Sequence, residues 1–245
     1  IGLAEIENKN VLKDLTNNPL LKKHGYKYIT YDGHDPRGID NALLYRSSYF
    51  KVLSSRAIAI KKIGTRDILY VTGILGGDTV HVLVNHWPSR REGIKQSDPK
   101  RATVANANKR MVDSLFKINA DTKIIIMGDM NDNPTDESIT QVLKASPNSD
   151  LKKHGYLYNP WVSIYKSGKG TSVYHKQWDH FDQIIISEAF LHDKKLHFRK
   201  AEIFDAAFIR NEGHGDDAYP KRSFRGKQWN HGYSDHLPVM IHLGN

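Results

Sequence analysis

The sequence predicts an α/β protein with mixed or mainly antiparallel sheets and with helices packed on the outside. Strand-like segments outnumber helical ones and do not alternate with them, which disfavours a doubly wound parallel sheet. Polar clusters lie at the ends of several strands, and they can meet at one edge only if the later strands run antiparallel to the earlier ones. The 245 residues show no linker or change in composition, so we predict a single domain over residues 1–245.

Each element is predicted from local pattern. Strands are short apolar or aromatic runs bounded by Gly or Asp. The first helix has apolar residues at helical spacing and is interrupted by Pro19, and the longest helix is predicted to begin with Pro99 in its first turn. The predicted strands are 1–7, 26–31, 42–45, 57–63, 68–74, 79–85, 123–127, 181–187, 201–204 and 237–243, and the predicted helices are 10–23, 99–119 and 136–144.

Residues 123–134, KIIIMGDMNDNP, combine a buried strand with polar chemistry. The β-branched run predicts a central strand, and Gly128 ends it directly before Asp129 and Asn131. Gly, Asp and Asn are also ordinary turn residues. The stretch alone therefore leaves a reactive group and a simple turn equally open.

Four further strand ends carry polar groups, and together with Asp129 and Asn131 they predict one site. Carboxylates suit Mg²⁺, Mn²⁺ or Ca²⁺, and histidines act as acids, bases or donors to phosphate. Each residue alone is equally typical of a turn, a cap or an exposed strand edge. The full set predicts metal-assisted hydrolysis of phosphate esters, and it consists of Glu5, His86, Asp129, Asn131, Asp182, Asp235 and His236.

The sequence resembles the endonuclease/exonuclease/phosphatase superfamily of metal-dependent phosphohydrolases, which includes deoxyribonucleases and abasic-site endonucleases. The matching pieces occur in the family's order along nearly the whole chain: GLAEIEN (2–8), GIDNALLYR (38–46), SSRAIAI (54–60), VNHWPSR (84–90), GDMNDNP (128–134), FDQIIIS (181–187) and GYSDHLPV (232–239). The resemblance implies a four-layer α/β sandwich with two mixed, mainly antiparallel sheets flanked by helices. It also implies a divalent metal, Mg²⁺ with Mn²⁺ or Ca²⁺ as alternatives.

The resemblance further implies a role for each site residue. Glu5 is expected to ligate the metal with Asp235 at or beside it, Asp129 to position or deprotonate the attacking water, and Asn131 to contact the phosphate. His86 and His236 are expected to flank that phosphate, with Asp182 orienting His236. Asp40 is a candidate partner of His86, and Arg56 is a candidate substrate contact. The family also has an Asn on a strand that precedes the glutamate strand, so we expect a further strand before residue 1.

The net charge of +9 predicts an anionic partner. Residues 86–101 carry a net +3 and residues 219–231 a net +4, and both segments contain aromatic residues. This pattern is typical of nucleic-acid binding, although a solvated basic loop would look the same. The predicted substrate contacts in the two segments are Trp87, Arg90, Arg222, Arg225 and Trp229.

The predicted function is therefore a nuclease that cleaves phosphodiester bonds. A phosphatase or phospholipase acting on a small or lipid phosphate is the first alternative, and a non-catalytic binding module on the same fold is the second. The absence of cysteine excludes thiolate chemistry, and no apolar run is long enough to span a bilayer. We expect a monomer. Localisation stays open, with secretion or a periplasmic location as alternatives whose signal segment would precede residue 1.

The hexapeptide LKKHGY occurs twice, at 21–26 and at 151–156. Both copies follow a helix-like segment and precede a strand-like segment that contains tyrosine. One match of this length does not establish an internal repeat, so chance and shared helix-ending chemistry remain as explanations.

Overall fold

The computed structural model describes residues 1–60, 62–151, 153–212 and 218–244. Its helices are α1 (Lys9–Asn17), α2 (Pro19–Lys22), α3 (Ile94–Ile118), α4 (Trp161–Lys166) and α5 (Ala189–His192). Its strands are β1 (Gly2–Ile6), β2 (Tyr26–Thr30), β3 (Asp40–Arg46), β4 (Phe50–Ile58), β5 (Ile68–Leu75), β6 (Asp78–His86), β7 (Lys123–Asp129), β8 (Ala145–Ser146), β9 (Leu157–Tyr158), β10 (Ser172–Tyr174), β11 (Gln177–Asp179), β12 (Asp182–Ser187), β13 (Phe198–Ile203), β14 (Phe224–Arg225), β15 (Gln228–Trp229) and β16 (Val239–Leu243).

The largest sheet has seven strands in the order β4-β5-β6-β7-β12-β9-β8. Strands β6 and β7 are parallel, and so are β8 and β9. The remaining neighbours in this sheet run antiparallel, so the sheet is mixed. The run Ile124 to Ile126 lies in its centre and is buried, because a central strand covered on both faces favours a continuous apolar sequence.

A second layer of strands covers one face of this sheet. It consists of the antiparallel sheet β1-β3-β2 and the antiparallel pair β13-β16. Strand β1 contacts β6 and β7, whereas β16 contacts β12. In the described part of the chain β1 and β16 are not paired with each other. The strand expected before residue 1 stays a prediction.

Three separate hydrophobic cores divide the molecule into four layers. Leu12 of α1 packs with Ala42 and Leu44 on the outer face of the three-stranded sheet. A second core that includes Val84 and Ile125 fills the space between the two strand layers. A third joins the other face of the large sheet to α3 and to the single π-helical turn Ser138–Val142. This arrangement is the predicted sandwich. No helix in the described residues is both long enough and apolar enough to span a membrane.

Several predicted elements differ from the structure in their bounds; the strand predicted at 201–204, for example, is β13 and begins at Phe198. The strand predicted at 57–63 is β4, which ends at Ile58 and pairs with β5 from Phe50 onward; residue 61 lies outside the described residues. The long helix begins at Ile94, so that Pro99 lies inside it. The helix predicted at 136–144 is the π-helical turn. Strand β4 lies at the edge of the sheet, and exposed polar residues in its first half, such as Lys51 and Ser54, interrupt the apolar pattern that would mark its start.

Candidate active site

The registers of three neighbouring strands bring three predicted site residues side by side. His86 of β6 is the register partner of Asp129 of β7, and Asp129 is in turn the partner of Asp182 of β12. The parallel pairing places the ends of β6 and β7 at one edge, and the antiparallel β12 begins there. Paired residues on neighbouring strands lie about 5 Å apart. The row His86–Asp129–Asp182 therefore follows directly from the topology.

Gly128 permits an unusually close approach of β7 to β6. Its φ is 132°, and a Cβ built on it would lie 1.9 Å from the main-chain oxygen of Asn85. A side chain of any size would therefore collide with the neighbouring strand. The glycine sets the position of Asp129, which directly follows it.

Asn131 holds the carboxylate of Asp129 from the following turn. Its main-chain N–H donates to Asp129 Oδ1 at 2.8 Å, and its Nδ2 donates to Asp129 Oδ2 at 3.1 Å. The φ of Asn131 is 49°, a left-handed conformation that asparagine tolerates better than most residues. On the other side, Nε2 of His86 lies 3.5 Å from Asp129 Oδ2.

His236 reaches the row from the segment before β16. Its Nδ1 lies 2.8 Å from Asp182 Oδ2, and the hydroxyl of Thr171 donates to the same oxygen at 2.6 Å. This contact fixes the ring and leaves Nε2 as its free nitrogen. The structure thus brings together five predicted residues, namely His86, Asp129, Asn131, Asp182 and His236.

The close packing of charges shifts the pKa values of these groups. Burial raises the pKa of Asp129 to about 7, although the positive charge of His236 opposes the shift. Burial by itself would lower the pKa of His236, but the charge and hydrogen bond of Asp182 raise it to about 10. The same pairing outweighs burial and lowers the pKa of Asp182. Burial, followed by the charges of Arg66 and Arg37, lowers the pKa of His86 well below its usual value.

A buried arginine holds the main chain next to the site, and no sequence pattern indicates this role. Arg66 donates to Asp35 Oδ2 at 2.8 Å and to the main-chain oxygen of Trp87 at 2.5 Å. The same Trp87 oxygen accepts a hydrogen bond from Nδ2 of Asn131 at 2.9 Å. Arg66 and Asp35 therefore fix the carbonyl group that orients Asn131. Arg66, Asp35 and Thr171 all lie in stretches whose composition indicates only turns and strands.

The two predicted metal ligands lie at the surface of this region. Glu5 has a φ of 59° beside an irregularity in the β1–β3 register, and its carboxylate lies 3.8 Å from Nη1 of Arg37. A left-handed non-glycine residue is a local strain of the kind that clusters at functional sites. Asp235 is exposed and immediately precedes His236. Neither carboxylate belongs to the group formed by Asp129, Asp182 and His236, whose potential ligand atoms lie within 4.8 Å of one another.

The donors present at the site fit a divalent cation. Asp129 and Asp182 offer carboxylate oxygens, which are the ligands that Mg²⁺ and Mn²⁺ prefer. Potential ligand atoms of Asp129, Asp182 and His236 lie within 4.8 Å of one another, a spacing that one ion can span. Glu5 and Asp235 are exposed and offer further carboxylates at the surface of this region.

Several predicted substrate contacts have other partners in the structure. Trp87 is 0% exposed, and its Nε1 donates to Asn85 Oδ1, so the prediction that its ring contacts substrate is wrong. Trp87 packs in the third core, against α3. The guanidinium of Arg90 donates to Asp132 and to the main-chain oxygen of Asn131, each at 2.8 Å. Arg90 therefore positions the turn after Asp129, and it is not free to bind substrate in this arrangement.

The structure does not form the predicted pair of Asp40 and His86, while the role of Arg56 as a substrate contact stays a prediction. Asp40 accepts a hydrogen bond from the N–H of Gly33, while Nδ1 of His86 has no hydrogen-bond partner; the pair Asp40–His86 is therefore absent. Arg56 lies over the ring of Tyr70 at 5.3 Å. Its guanidinium also approaches the sulfur of Met111 at 4.0 Å, so its contacts lie on the helix-covered face of the sheet.

Residues 219–231 form an exposed basic and aromatic segment that we call the basic hairpin. Its centre is the pair β14–β15, and Phe224 and Trp229 stack edge to face at 5.1 Å while remaining 55% and 49% exposed. Within the described ranges, no carboxylate lies within 4.0 Å of its cations. These cations are Lys221, Arg222, Arg225 and Lys227.

The basic hairpin is fastened to the segment that carries His236. The N–H of Tyr233 donates to the main-chain oxygen of Lys221 at 2.8 Å, and the Ser223 hydroxyl donates to the oxygen of Tyr233 at 3.0 Å. Tyr233 lies close to His236 in the chain. The four cations of the hairpin thus have no carboxylate partner among the described residues, whereas Arg90 and Arg101 in residues 86–101 are paired with Asp132.

Comparison with known proteins agrees with this geometry. A family model described as "Endonuclease/Exonuclease/phosphatase family" matches residues 1–245, while no curated protein matches significantly. Truncated Caenorhabditis elegans TDP2 has a TM-score of 0.65 and 17% identity, over 100% of this chain and 83% of that one. D. rerio TDP2 complexed with single strand DNA product has a TM-score of 0.63 and 15% identity, over 100% and 84%. Bacteroides thetaiotaomicron mannosyl-6-phosphatase Bt3783 has a TM-score of 0.59 and 18% identity, over 99% and 84%. These likenesses confirm the predicted fold.

Proposed function

The chain belongs to the endonuclease/exonuclease/phosphatase family and is therefore a divalent-metal-dependent phosphoester hydrolase, and we propose that it cleaves phosphodiester bonds in nucleic acid. The observation that carries this proposal is the basic hairpin, whose four cations have no carboxylate partner in the described part of the chain, together with the row of His86, Asp129 and Asp182. The basic hairpin suits binding of a nucleic-acid backbone, and the row of site residues suits hydrolysis of a phosphate ester.

Asp129 is the proposed general base. Its carboxylate is oriented by two hydrogen bonds from Asn131, and a pKa of about 7 matches a base that works near neutral pH. It accepts a proton from water as the water oxygen bonds to phosphorus. Asn131 lies beside the same position, but its Nδ2 already donates to Asp129 Oδ2 and to the main-chain oxygen of Trp87. It therefore orients the base, and the predicted contact with phosphate would require it to exchange one of these hydrogen bonds. Neutral His86 faces Asp129 and supports its orientation.

His236 is the proposed acid and phosphate donor. With a pKa of about 10 it carries a proton on each ring nitrogen at neutral pH, and Asp182 occupies Nδ1. Its Nε2–H donates to the phosphate, and as the P–O ester bond breaks the leaving oxygen takes up that proton. Glu5 and Asp235 would hold a divalent cation, which would neutralise charge on the phosphate. We propose Mg²⁺, with Mn²⁺ or Ca²⁺ as alternatives.

The basic hairpin supports nucleic acid over a small phosphate as the substrate. Free cations contact successive backbone phosphates, and exposed aromatic rings stack on bases. Phe208 and Tyr233 extend the aromatic surface, because they are 61% and 63% exposed and pack against each other at 5.6 Å. A small phosphomonoester would leave most of this surface unused.

A substrate panel tests the proposed function. Single-stranded and duplex DNA, RNA, inositol phosphates and sphingomyelin are offered with Mg²⁺ or Mn²⁺, each with and without a chelator. We expect cleavage of a nucleic acid that the chelator abolishes. Turnover of only the inositol or lipid substrates would overturn the nuclease proposal and favour the phosphatase or phospholipase, and turnover of none would favour a binding module.

Neutralising the tip of the basic hairpin is expected to impair polymer cleavage selectively. In the double variant Arg225→Gln/Lys227→Gln, the slope of log(kcat/KM) against log[salt] should fall by about one for each backbone phosphate that the variant no longer binds. Hydrolysis of a small phosphodiester such as bis(p-nitrophenyl) phosphate should not change. The control is Lys13→Gln/Lys22→Gln, which removes two exposed cations from α1 and α2. An equal effect in both double variants would show that only net charge matters.

The activity is expected to depend on pH through the two shifted groups. Asp129 must lose its proton, so kcat/KM should rise as pH increases through about 7. His236 must keep its proton, so kcat/KM should fall as pH increases through about 10. In Asp182→Asn the anionic partner of His236 is removed, and the alkaline limb should move to lower pH. A pH–rate profile checks both limbs, and an alkaline limb that stays in place in Asp182→Asn would contradict this assignment.

A further inference from the structure

A second cluster of metal-binding side chains lies at the far end of the central strands. Asp121 precedes β7, and Glu188 directly follows β12. His154 lies in the segment before β9. Since β12 places Asp182 six residues from Glu188, the cluster is about 20 Å from the active-site row at the usual rise per strand residue. It therefore shares no ligand with that site.

The three side chains converge on one point. Nδ1 of His154 lies 3.2 Å from Asp121 Oδ1 and 3.3 Å from Glu188 Oε1. One potential ligand atom from each residue lies within 4.8 Å of the other two. The N–H of Asp121 donates to the side chain of Asn119 at 3.0 Å, which fixes the turn from which Asp121 projects. The three groups come from three separate segments, so this proximity is a product of the fold.

Glu188 provides an independent sign that a cation belongs here. Its side chain is only 3% exposed, and Oε1 accepts a hydrogen bond from the N–H of Gly155 at 3.1 Å. In the part of the chain that the structure describes, no Lys or Arg lies within 4.0 Å of this carboxylate. Buried charges are generally paired or coordinate metals, and in the described residues the basic side chain within 4.0 Å of this carboxylate is His154, itself a metal-binding group. His154 and Asp121 are 75% and 69% exposed, so an ion can enter from solvent.

We propose that Asp121, His154 and Glu188 form a second divalent-metal site that binds Zn²⁺ or a similar first-row transition metal. An imidazole nitrogen beside carboxylates favours such ions over Mg²⁺ and Ca²⁺, which prefer oxygen ligands. Three protein ligands leave the fourth position of a tetrahedral ion to water. The ion fastens the segment before β9 to the end of the central sheet and takes no part in hydrolysis.

The repeated hexapeptide supplies a matched control for this site. In the copy at 21–26, His24 follows α2, and within the described residues no carboxylate lies within 4.0 Å of it. In the copy at 151–156, of which residue 152 is outside the described residues, His154 meets Asp121 and Glu188. The same local sequence thus occurs once with acidic partners and once without them.

Zinc binding tests the proposal. The whole chain is freed of metal, the active site is saturated with excess Mg²⁺, and Zn²⁺ is titrated by calorimetry into wild type, His154→Ala, Glu188→Gln and His24→Ala. Wild type and His24→Ala should bind one more equivalent of Zn²⁺ than the other two, or bind it at least about tenfold more tightly. Zn²⁺ should also raise Tm and slow proteolysis between residues 147 and 156 in wild type and His24→Ala only.

Two results would overturn the proposal. One is Zn²⁺ binding by His154→Ala with the stoichiometry and affinity of His24→Ala. The other is a failure of wild type to bind Zn²⁺ in the presence of Mg²⁺, which would leave only the contacts of His154 with the two acids. His154→Ala removes an exposed side chain and should fold normally. Its hydrolysis rate with Mg²⁺ should equal that of wild type, so the result is independent of the proposed nuclease activity.

Discussion

Asp129→Asn should lower kcat/KM by about a thousandfold, within the range that general acid–base catalysis contributes. The amide keeps the size of the carboxylate but cannot accept the proton of the attacking water. Its oxygen can still accept the hydrogen bond from the N–H of Asn131. The remaining activity would come from the binding and orientation of the phosphate by His236.

Folding should survive this change. The raised pKa of Asp129 means that the folded protein disfavours the charged carboxylate at neutral pH, so removing the charge offsets the loss of one hydrogen bond worth about 1 kcal/mol. The urea midpoint should therefore stay close to that of wild type. Asp14→Asn, an exposed change on α1, is the control and should retain full activity.

The metal dependence of Asp129→Asn separates two roles of the residue. If Asp129 acts mainly as the base, raising the Mg²⁺ or Mn²⁺ concentration will not restore turnover. If high metal restores it, Asp129 is primarily a ligand, and the assignment of the base is wrong. Undiminished turnover in Asp129→Asn or Asp129→Ala would remove the mechanism altogether.

Among the variants proposed, Gly128→Ala should lose the most stability. Its free energy of unfolding should fall by about 4 kcal/mol or more. The new Cβ would lie 1.9 Å from the main-chain oxygen of Asn85. Backbone on a neighbouring strand cannot rotate away as a flexible side chain can. The parallel strands β6 and β7 would have to separate where their register holds His86 beside Asp129.

Gly25→Ala is the control for this prediction, measured by the same urea unfolding experiment. Gly25 also has a positive φ, 64°, but a Cβ there would meet nothing within 4 Å. Gly25→Ala should therefore lower the free energy of unfolding only by the cost of placing alanine in a left-handed conformation, about 1 kcal/mol. Similar losses in the two variants would mean that conformation alone, and not the contact with Asn85, determines the role of Gly128.

Local sequence is sufficient to predict the centre of the fold. The β-branched run before Gly128 identifies a central strand without reference to the rest of the chain, because such a strand is apolar on both faces. The order of the polar strand ends then requires later strands to run antiparallel, and the pairing of β7 with β12 does so. These two steps are sufficient to predict the row of His86, Asp129 and Asp182.

Local sequence is insufficient where a residue's role depends on distant partners. Trp87 follows a site histidine and carries a large aromatic ring, yet it is fully buried against α3. Arg90 lies in a basic segment, yet Asp132 occupies its guanidinium. Thr171 and Arg66 have no sequence signal for the same reason. Their hydrogen bonds join residues that are separated in the chain, and no local pattern records such a contact.

The register of the three central strands also has a consequence during protein synthesis. The row joins residues 86, 129 and 182, and His236 completes it only after a further 54 positions. Contacts this distant in sequence form late and slowly. A ribosome-bound chain that has not yet exposed residue 236 holds an incomplete set of reactive groups. The proposed hydrolytic activity therefore requires that this last stretch has emerged from the ribosome.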